Sequence, residues 1–249
     1  MFFLLAVPVV LLTGISKGGF AGGLGTLAVP LLTLMVDPRI AAAIMLPILC
    51  VMDIFTVWRY HRGWDARSLK ILIPGALVGI TVGGLTFSIM NADMIRLIVG
   101  LMSLYFVGNY WFGQRGPAAA TPRAHNPVKG GILGALGGFS SFIAHAGGPP
   151  LSQYLFPLRL DKTTMVATSV MFFAVANYVK LIPYAWLGQL SSENLTMSLY
   201  LLPFAPIGVW LGIWMHNRVS NRLFYIICYA LLFLVGIKLS AEGLMALIS

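Results

Sequence analysis

Lys17 stands sixteen residues into an apolar run, flanked by Gly14, Gly18, Gly19, Gly22 and Gly23. A helical rise to that position is about 24 Å at most. A charged side chain at membrane depth costs about 2.5–3.5 kcal/mol on insertion scales and usually faces a cavity or a partner. Glycine-rich turns at helix N-termini also present backbone N–H groups to anions. Two readings follow: Lys17 with Gly18, Gly19, Gly22 and Gly23 holds an anionic substrate, or the lysine snorkels to the cytoplasmic interface.

A second glycine-rich run carries Ser140, Ser141, His145, Gly147 and Gly148, followed by Pro149 and Pro150. Hydroxyls and an imidazole there could bond an oxyanion, and a histidine could also couple a proton. The alternative is that they bond local carbonyls and stabilise a helix break. Asp53 interrupts the apolar run from Leu46 to Trp58 and is one of only seven acidic residues. It could pair with an intramembrane lysine, carry a coupling proton, or make a structural hydrogen bond. Asn177 and Lys180 share one helical face, three residues apart. They are further substrate-binding candidates, although Lys180 could equally reach the far interface.

The elements that must position these residues are read from composition. Hydrophobic residues make up 59% of the 249 and charged residues 9%, with a mean hydropathy of +0.89. A soluble domain is about 25% charged, so the bilayer is the solvent this surface suits. The net charge of +9 does not point to nucleic acid, because the basic residues fall between apolar runs, where cytoplasmic loops carry them. Cys50 and Cys228 lie inside apolar runs and read as buried thiols. No metal-ligand cluster, cofactor motif or HExxH is present, so an enzyme is not expected. The N-terminus lacks a basic stretch and a cleavage site, and reads as a mature membrane segment.

Apolar runs occur at about 1–36, 40–58, 69–90, 94–112, 130–157, 163–187, 195–217 and 222–248. Most fit one spanning helix. Runs 1–36 and 130–157 are interrupted by glycine and proline, which is tolerated at membrane depth only beside protein or a cavity. They also match each other. Gly18-Gly19-Phe20 aligns with Gly137-Gly138-Phe139 at a shift of 119, as do Pro30 with Pro149 and Pro38 with Pro157. Pro74, Gly79 and Gly83 align with Pro203, Gly208 and Gly212 at a shift of 129. The expected fold is an all-α polytopic membrane protein of two inverted repeats. Each repeat is a broken hairpin, re-entrant or half-helical, plus three transmembrane helices. The repeats occupy 1–113 and 127–249, joined by a cytoplasmic loop at 114–126. The series Gly75, Gly79, Gly83 and Gly130, Gly134, Gly138 reads as close helix packing. Trp58, Trp64, Tyr110 and Trp111 read as interfacial belts.

Charge distinguishes the topologies. With inverted hairpins, one face receives Arg59, Arg62, Arg67, Lys70, Arg115, Arg123, Lys129, Arg159, Lys162, Arg218 and Arg222; the other receives Arg39, Arg96 and Lys238. If each broken run crossed once, the split would be eight to six. The positive-inside rule favours the first arrangement, with both termini non-cytoplasmic. Inverted repeats with broken helices recur in secondary transporters, whose substrate sites lie near the midplane.

The stretches GISKGGFAGGLGTLAVPLL at 14–32, WRYHRGWD at 58–65 followed by PGALVGITVGG, and GALGGFSSFIAHAGGPPLSQYLFP at 134–157 followed by RLDKTTMVATSVMFFAVANYVKLIPY carry a resemblance over nearly the whole chain. They resemble the TauE/SafE sulfite-exporter family, also called TSUP transporters. That resemblance implies a multi-pass protein of the bacterial inner membrane moving sulfite, a sulfonate such as sulfoacetate, or thiosulfate. The expected mechanism is alternating access with Asp53 or His145 carrying a coupling proton, no cofactor, and partners limited to the anion and the bilayer. A homodimer stays open, as do the substrate, the direction and the coupling ion. An anion channel is the nearest alternative and a membrane-embedded enzyme the distant one.

Overall fold

Short polar side chains and prolines set where the long helices begin. Asp37 precedes Pro38 and accepts from the Arg39 N–H at 2.8 Å; Asn126 precedes Pro127 and accepts from the Lys129 N–H at 2.9 Å. Asp161 accepts from the N–H groups of Thr163 and Thr164, both at 3.0 Å. Each cap satisfies a first-turn donor, and proline at the first helical position forfeits no bond.

In the computed structural model, residues 2–20, 25–87, 89–112, 124–216, 218 and 221–248 are described, and they are helical with no strand among them. The helices are α1 (Phe2–Gly19), α2 (Ala28–Leu32), α3 (Pro38–Tyr60), α4 (Ala66–Phe87), α5 (Ala92–Phe112) and α6 (Pro127–Ala144). They continue as α7 (Gly148–Leu155), α8 (Lys162–Trp186), α9 (Ser192–Leu201), α10 (Phe204–Met215) and α11 (Asn221–Ile248), with single 3-10 turns at Gly25–Leu27 and Phe156–Leu158. Among the described residues, five helices are long and apolar enough to cross a membrane, and α9 with α10, bent by 45°, meets the same test as a pair. Large apolar side chains such as Ile54, Trp58, Val78, Leu85, Ile182 and Trp186 point outward, as lipid-facing residues do.

Two expectations are corrected. The run at 195–217 is two helices, because Pro203 lies at the bend; Pro74, its aligned counterpart, sits inside the continuous α4. Glycines 137 and 138 do not break their helix, since α6 passes through Gly137–Ser141 to Ala144, whereas α1 ends at Gly19, inside the expected first interruption. These glycines serve close packing. A Cβ on Gly138 would lie 2.1 Å from the Ala76 carbonyl oxygen, and one on Gly19 would lie 2.2 Å from that of Gly212. The second interruption expected in that run, at Ala146–Pro150, is observed at His145–Gly147, where His145 ends α6 in the left-handed region at φ 51°. Gly22, Gly23 and residues 114–123 of the connecting loop lie outside the described residues.

Contacts give the helix directions. Asp53 meets Asn177, while Tyr60, further along α3, packs on Val166, Ala167 and Val170, so α3 and α8 are antiparallel. Ser198 bonds the Ile44 carbonyl and the His216 ring lies against Tyr60, so α9–α10 run with α3. Gly14 packs on Gly208 and Gly19 on Gly212, so α1 runs with α10 and hence with α3. Gly134 meets Leu72 and Gly138 meets Ala76, so α6 runs with α4. Asp65 bonds Thr168 and Gly84 meets Pro183, so α4 runs with α8. Each broken run therefore returns the chain to the side on which it began: α1 and α3 share one direction, α6 and α8 the other.

Two residue pairs share a separation that differs from that of the glycine-phenylalanine match. The caps Asp37 and Asp161 are 124 positions apart, and so are the hydrogen-bonded residues Asp53 and Asn177.

Candidate functional site

Lys17 sits in the last turn of α1, and packing of α1 on α3 and α10 buries it to 4% exposure. Its ammonium meets the Asp53 carboxylate at 2.5 Å and approaches the Leu49 carbonyl at 3.4 Å. Asp53 is wholly buried, and its second oxygen accepts from Asn177 Nδ2 at 2.7 Å across to α8. A cation, an anion and an amide from three helices thus close one polar chain. Lys17 is not snorkelling, and Asp53 is its intramembrane ion partner.

One turn beyond Asn177, Lys180 has 0% exposure and does not reach an interface. Its ammonium donates to the Ser141 carbonyl at 2.9 Å and the Ser141 hydroxyl at 3.0 Å, and lies 2.8 Å from His145 Nδ1. His145 Nε2 is 2.9 Å from the Ala42 carbonyl. A carbonyl only accepts, so Nε2 carries the hydrogen and Nδ1 offers its lone pair to Lys180. The imidazole is therefore placed as a neutral bridge between α3 and α8. Its left-handed backbone is held by bonds from the His145 and Ala146 N–H groups to the Ser141 and Ser140 carbonyls.

Lys180 accordingly has three acceptors, all neutral, whereas Lys17 has a carboxylate. Among the described residues, the acid and ammonium groups of this buried centre are Lys17, Asp53 and Lys180, two amines to one carboxyl. Removing a charge from water without compensation is costly.

Not every expected residue joins the cluster. Ser140 spends its hydroxyl on the Leu136 and Gly137 carbonyls of its own helix. Gly18 and Gly19 line the α1–α10 seam and present carbonyls, not donors, to their surroundings. Gly147 and Gly148 shape the second break. A Cβ on Gly147 would fall 2.8 Å from the Gly137 carbonyl oxygen. The α7 N-terminus they lead into is a weaker anion cradle than its glycines suggest, because Pro149 and Pro150 remove two N–H donors from its first turn.

Three residues were missed in the sequence. The Tyr60 hydroxyl donates to the Gly18 carbonyl at 2.7 Å, and His216 Nδ1 meets the Gly19 carbonyl at 2.7 Å. Both satisfy orphan carbonyls at the end of α1. The Tyr184 hydroxyl donates to the Phe142 carbonyl at 2.7 Å, and its ring stacks on His145 with centroids 6.2 Å apart. The available signal was spacing: Tyr60 lies seven residues past Asp53, and Tyr184 seven past Asn177.

The sequence model of the sulfite exporter TauE/SafE family matches residues 6–239. No curated protein and no solved structure matches the chain. The match covers nearly the whole sequence, and the chain belongs to the TauE/SafE family.

Proposed function

We propose that this member of a transporter family carries a small sulfur-containing anion across the inner membrane by alternating access. The substrate class is sulfite, a sulfonate such as sulfoacetate, or thiosulfate. The observation that carries the reading is Lys180, a fully buried ammonium with three neutral acceptors and no carboxylate. The anion binds beside Lys180, with the Ser141 hydroxyl and Asn177 amide as neutral contacts and Gly147 and Gly148 shaping the break. Lys17 is charge-balanced by Asp53. A proton on Asp53 would release Lys17 to the anion, which couples proton and anion through one carboxylate. His145 serves this role less well, because a proton on Nδ1 would face the Lys180 ammonium.

Two inverted repeats with both termini non-cytoplasmic are part of the proposal. They are supported by the opposed directions of α1 with α3 and α6 with α8, and by the basic residues gathered on one face. An anion channel is the second reading; it uses the same buried ammonium but predicts continuous conduction.

Thermal unfolding of the purified protein with sulfite, thiosulfate, sulfoacetate, sulfate or chloride tests the substrate class. A ligand that binds only the native state raises the midpoint by mass action. A sulfur anion that raises it well beyond chloride at equal ionic strength supports the reading. No shift beyond chloride for any of them removes it.

A further inference from the structure

The buried centre has a tyrosine above it and a tyrosine below it. Because α3 and α8 are antiparallel, Tyr60 lies two turns from Asp53 toward one face, and Tyr184 lies two turns from Asn177 toward the other. Both are buried, and both donate at 2.7 Å to a carbonyl near the end of a broken run's first limb: Gly18 in α1, Phe142 in α6. Donors and acceptors are each 124 positions apart, the separation of Asp53 and Asn177, which bond each other midway.

Neighbours reinforce each closure differently. At the Tyr60 end, the His216 ring packs edge-on against Tyr60 with centroids 6.3 Å apart and bonds Gly19, and Lys162 bonds the His216 carbonyl. At the Tyr184 end, Phe87, Phe142 and Tyr184 form an aromatic cluster, and Arg39 bonds the Phe87 carbonyl and lies over its ring. One end is thus closed mainly by polar contacts and the other mainly by aromatic ones.

We propose that Tyr60 and Tyr184 are the latches of two gates, one for each membrane face, and that this structure has both shut. The proposal rests on the transport reading above. Opening one face requires one phenol to leave its carbonyl while the other stays, since opening both would make a leak. The first limbs α1 and α6 are the moving parts, released from α3 and α8 respectively, and the Asp53–Asn177 contact is the pivot between them.

The test uses Cys50, one turn before Asp53, with Cys228→Ser leaving it as the single thiol. A membrane-impermeant maleimide is applied to intact cells and, separately, to inside-out vesicles. Tyr60→Phe is expected to speed Cys50 labelling about tenfold from one face only, and Tyr184→Phe from the opposite face only, since each leaves a buried carbonyl unpaired. Para-aminophenylalanine at either position keeps a donor and is expected to restore the slow rate. Acceleration from the same face in both variants, from both faces in either one, or from neither face overturns the proposal. If a Phe variant does not fold, amide exchange in the unmodified protein replaces it. The turns ending α1 and α6 are then expected to open at independent rates, and a single shared rate overturns the proposal. Neither readout uses substrate, so failure here leaves the anion site standing.

Discussion

Lys17 and Lys180 are buried alike but held by different chemistry. The first-half lysine has a carboxylate partner on α3, whereas the second-half lysine has a hydroxyl, a carbonyl and an imidazole. The first arrangement pairs an ammonium with a carboxylate and the second does not. On the transport reading proposed above, two lysines in comparable surroundings have separate tasks: one locks α1 to α3, and the other offers a positive charge to a ligand.

The sharpest way to break that comparison is to neutralise each lysine alone. Lys17→Gln strands Asp53 as a buried charge, and losing one member of a buried pair costs about 3–5 kcal/mol. Lys180→Gln removes a cation from neutral acceptors and is expected to cost less, about 1–3 kcal/mol. Thermal unfolding in detergent compares them. Adding Asp53→Asn to Lys17→Gln should recover most of the loss, and equal losses for the two single variants would erase the distinction between the lysines.

The packing seams sharpen the comparison from the other side, because they are alike where the lysines differ. Gly18 lies against the Val209 carbonyl oxygen, 2.3 Å from where its Cβ would be, and Gly138 against that of Ala76, at 2.1 Å. Alanine at either position is expected to cost about 1–3 kcal/mol through overpacking. Gly131 has nothing within 4 Å of a Cβ. Gly131→Ala is expected to be neutral or stabilising by up to about 1 kcal/mol, from helix propensity. Equal tolerance at all three positions would show that neither seam needs its glycine.

The smallest effect concerns the caps of α3 and α8. Asp37 accepts one backbone N–H, whereas Asp161 accepts two. Hydrogen bonds from the Thr164 hydroxyl and from the Thr164 and Thr163 N–H groups hold the Asp161 carboxyl below the usual carboxylate range. A folded-state value lowered in this way stabilises the fold at neutral pH, and the gain is lost as pH falls through that value. Asp161→Asn, which still caps, should flatten the acid limb of the thermal midpoint slightly. An unchanged acid limb would remove Asp161 from it.

Much of this was legible in the sequence. Composition alone set the bilayer as solvent, and every charged member of the central cluster stood out as a polar residue inside an apolar run. What the sequence concealed was partnership. Lys17 meets Asp53 across two helices, and Lys180 meets Ser141 and His145 through a break, so neither contact has a local signature. Side-chain reach added to the ambiguity, since a lysine at one depth can point to water or to a carboxylate. The glycines misled for a different reason. A glycine that bends a helix and one that admits a neighbouring backbone are identical as letters, and the glycines at 137 and 138 are of the second kind. Pro74 and Pro203 make the same point: aligned prolines end in a continuous helix and a bend, because packing around them differs.

The central claim is that Lys180, not the Lys17–Asp53 pair, carries the uncompensated charge that holds the anion. Affinity for whichever sulfur anion stabilises the protein, measured at fixed ionic strength in folded wild type, Lys180→Gln and Lys17→Gln/Asp53→Asn, tests it most directly. Losing a charge-assisted contact worth about 1.5–3 kcal/mol should weaken binding about 10- to 150-fold in Lys180→Gln. The charge-balanced double variant should stay within a few-fold of wild type. Lys180→Gln binding as tightly as wild type, with the double variant losing the anion, would contradict the account and move the site to the first half.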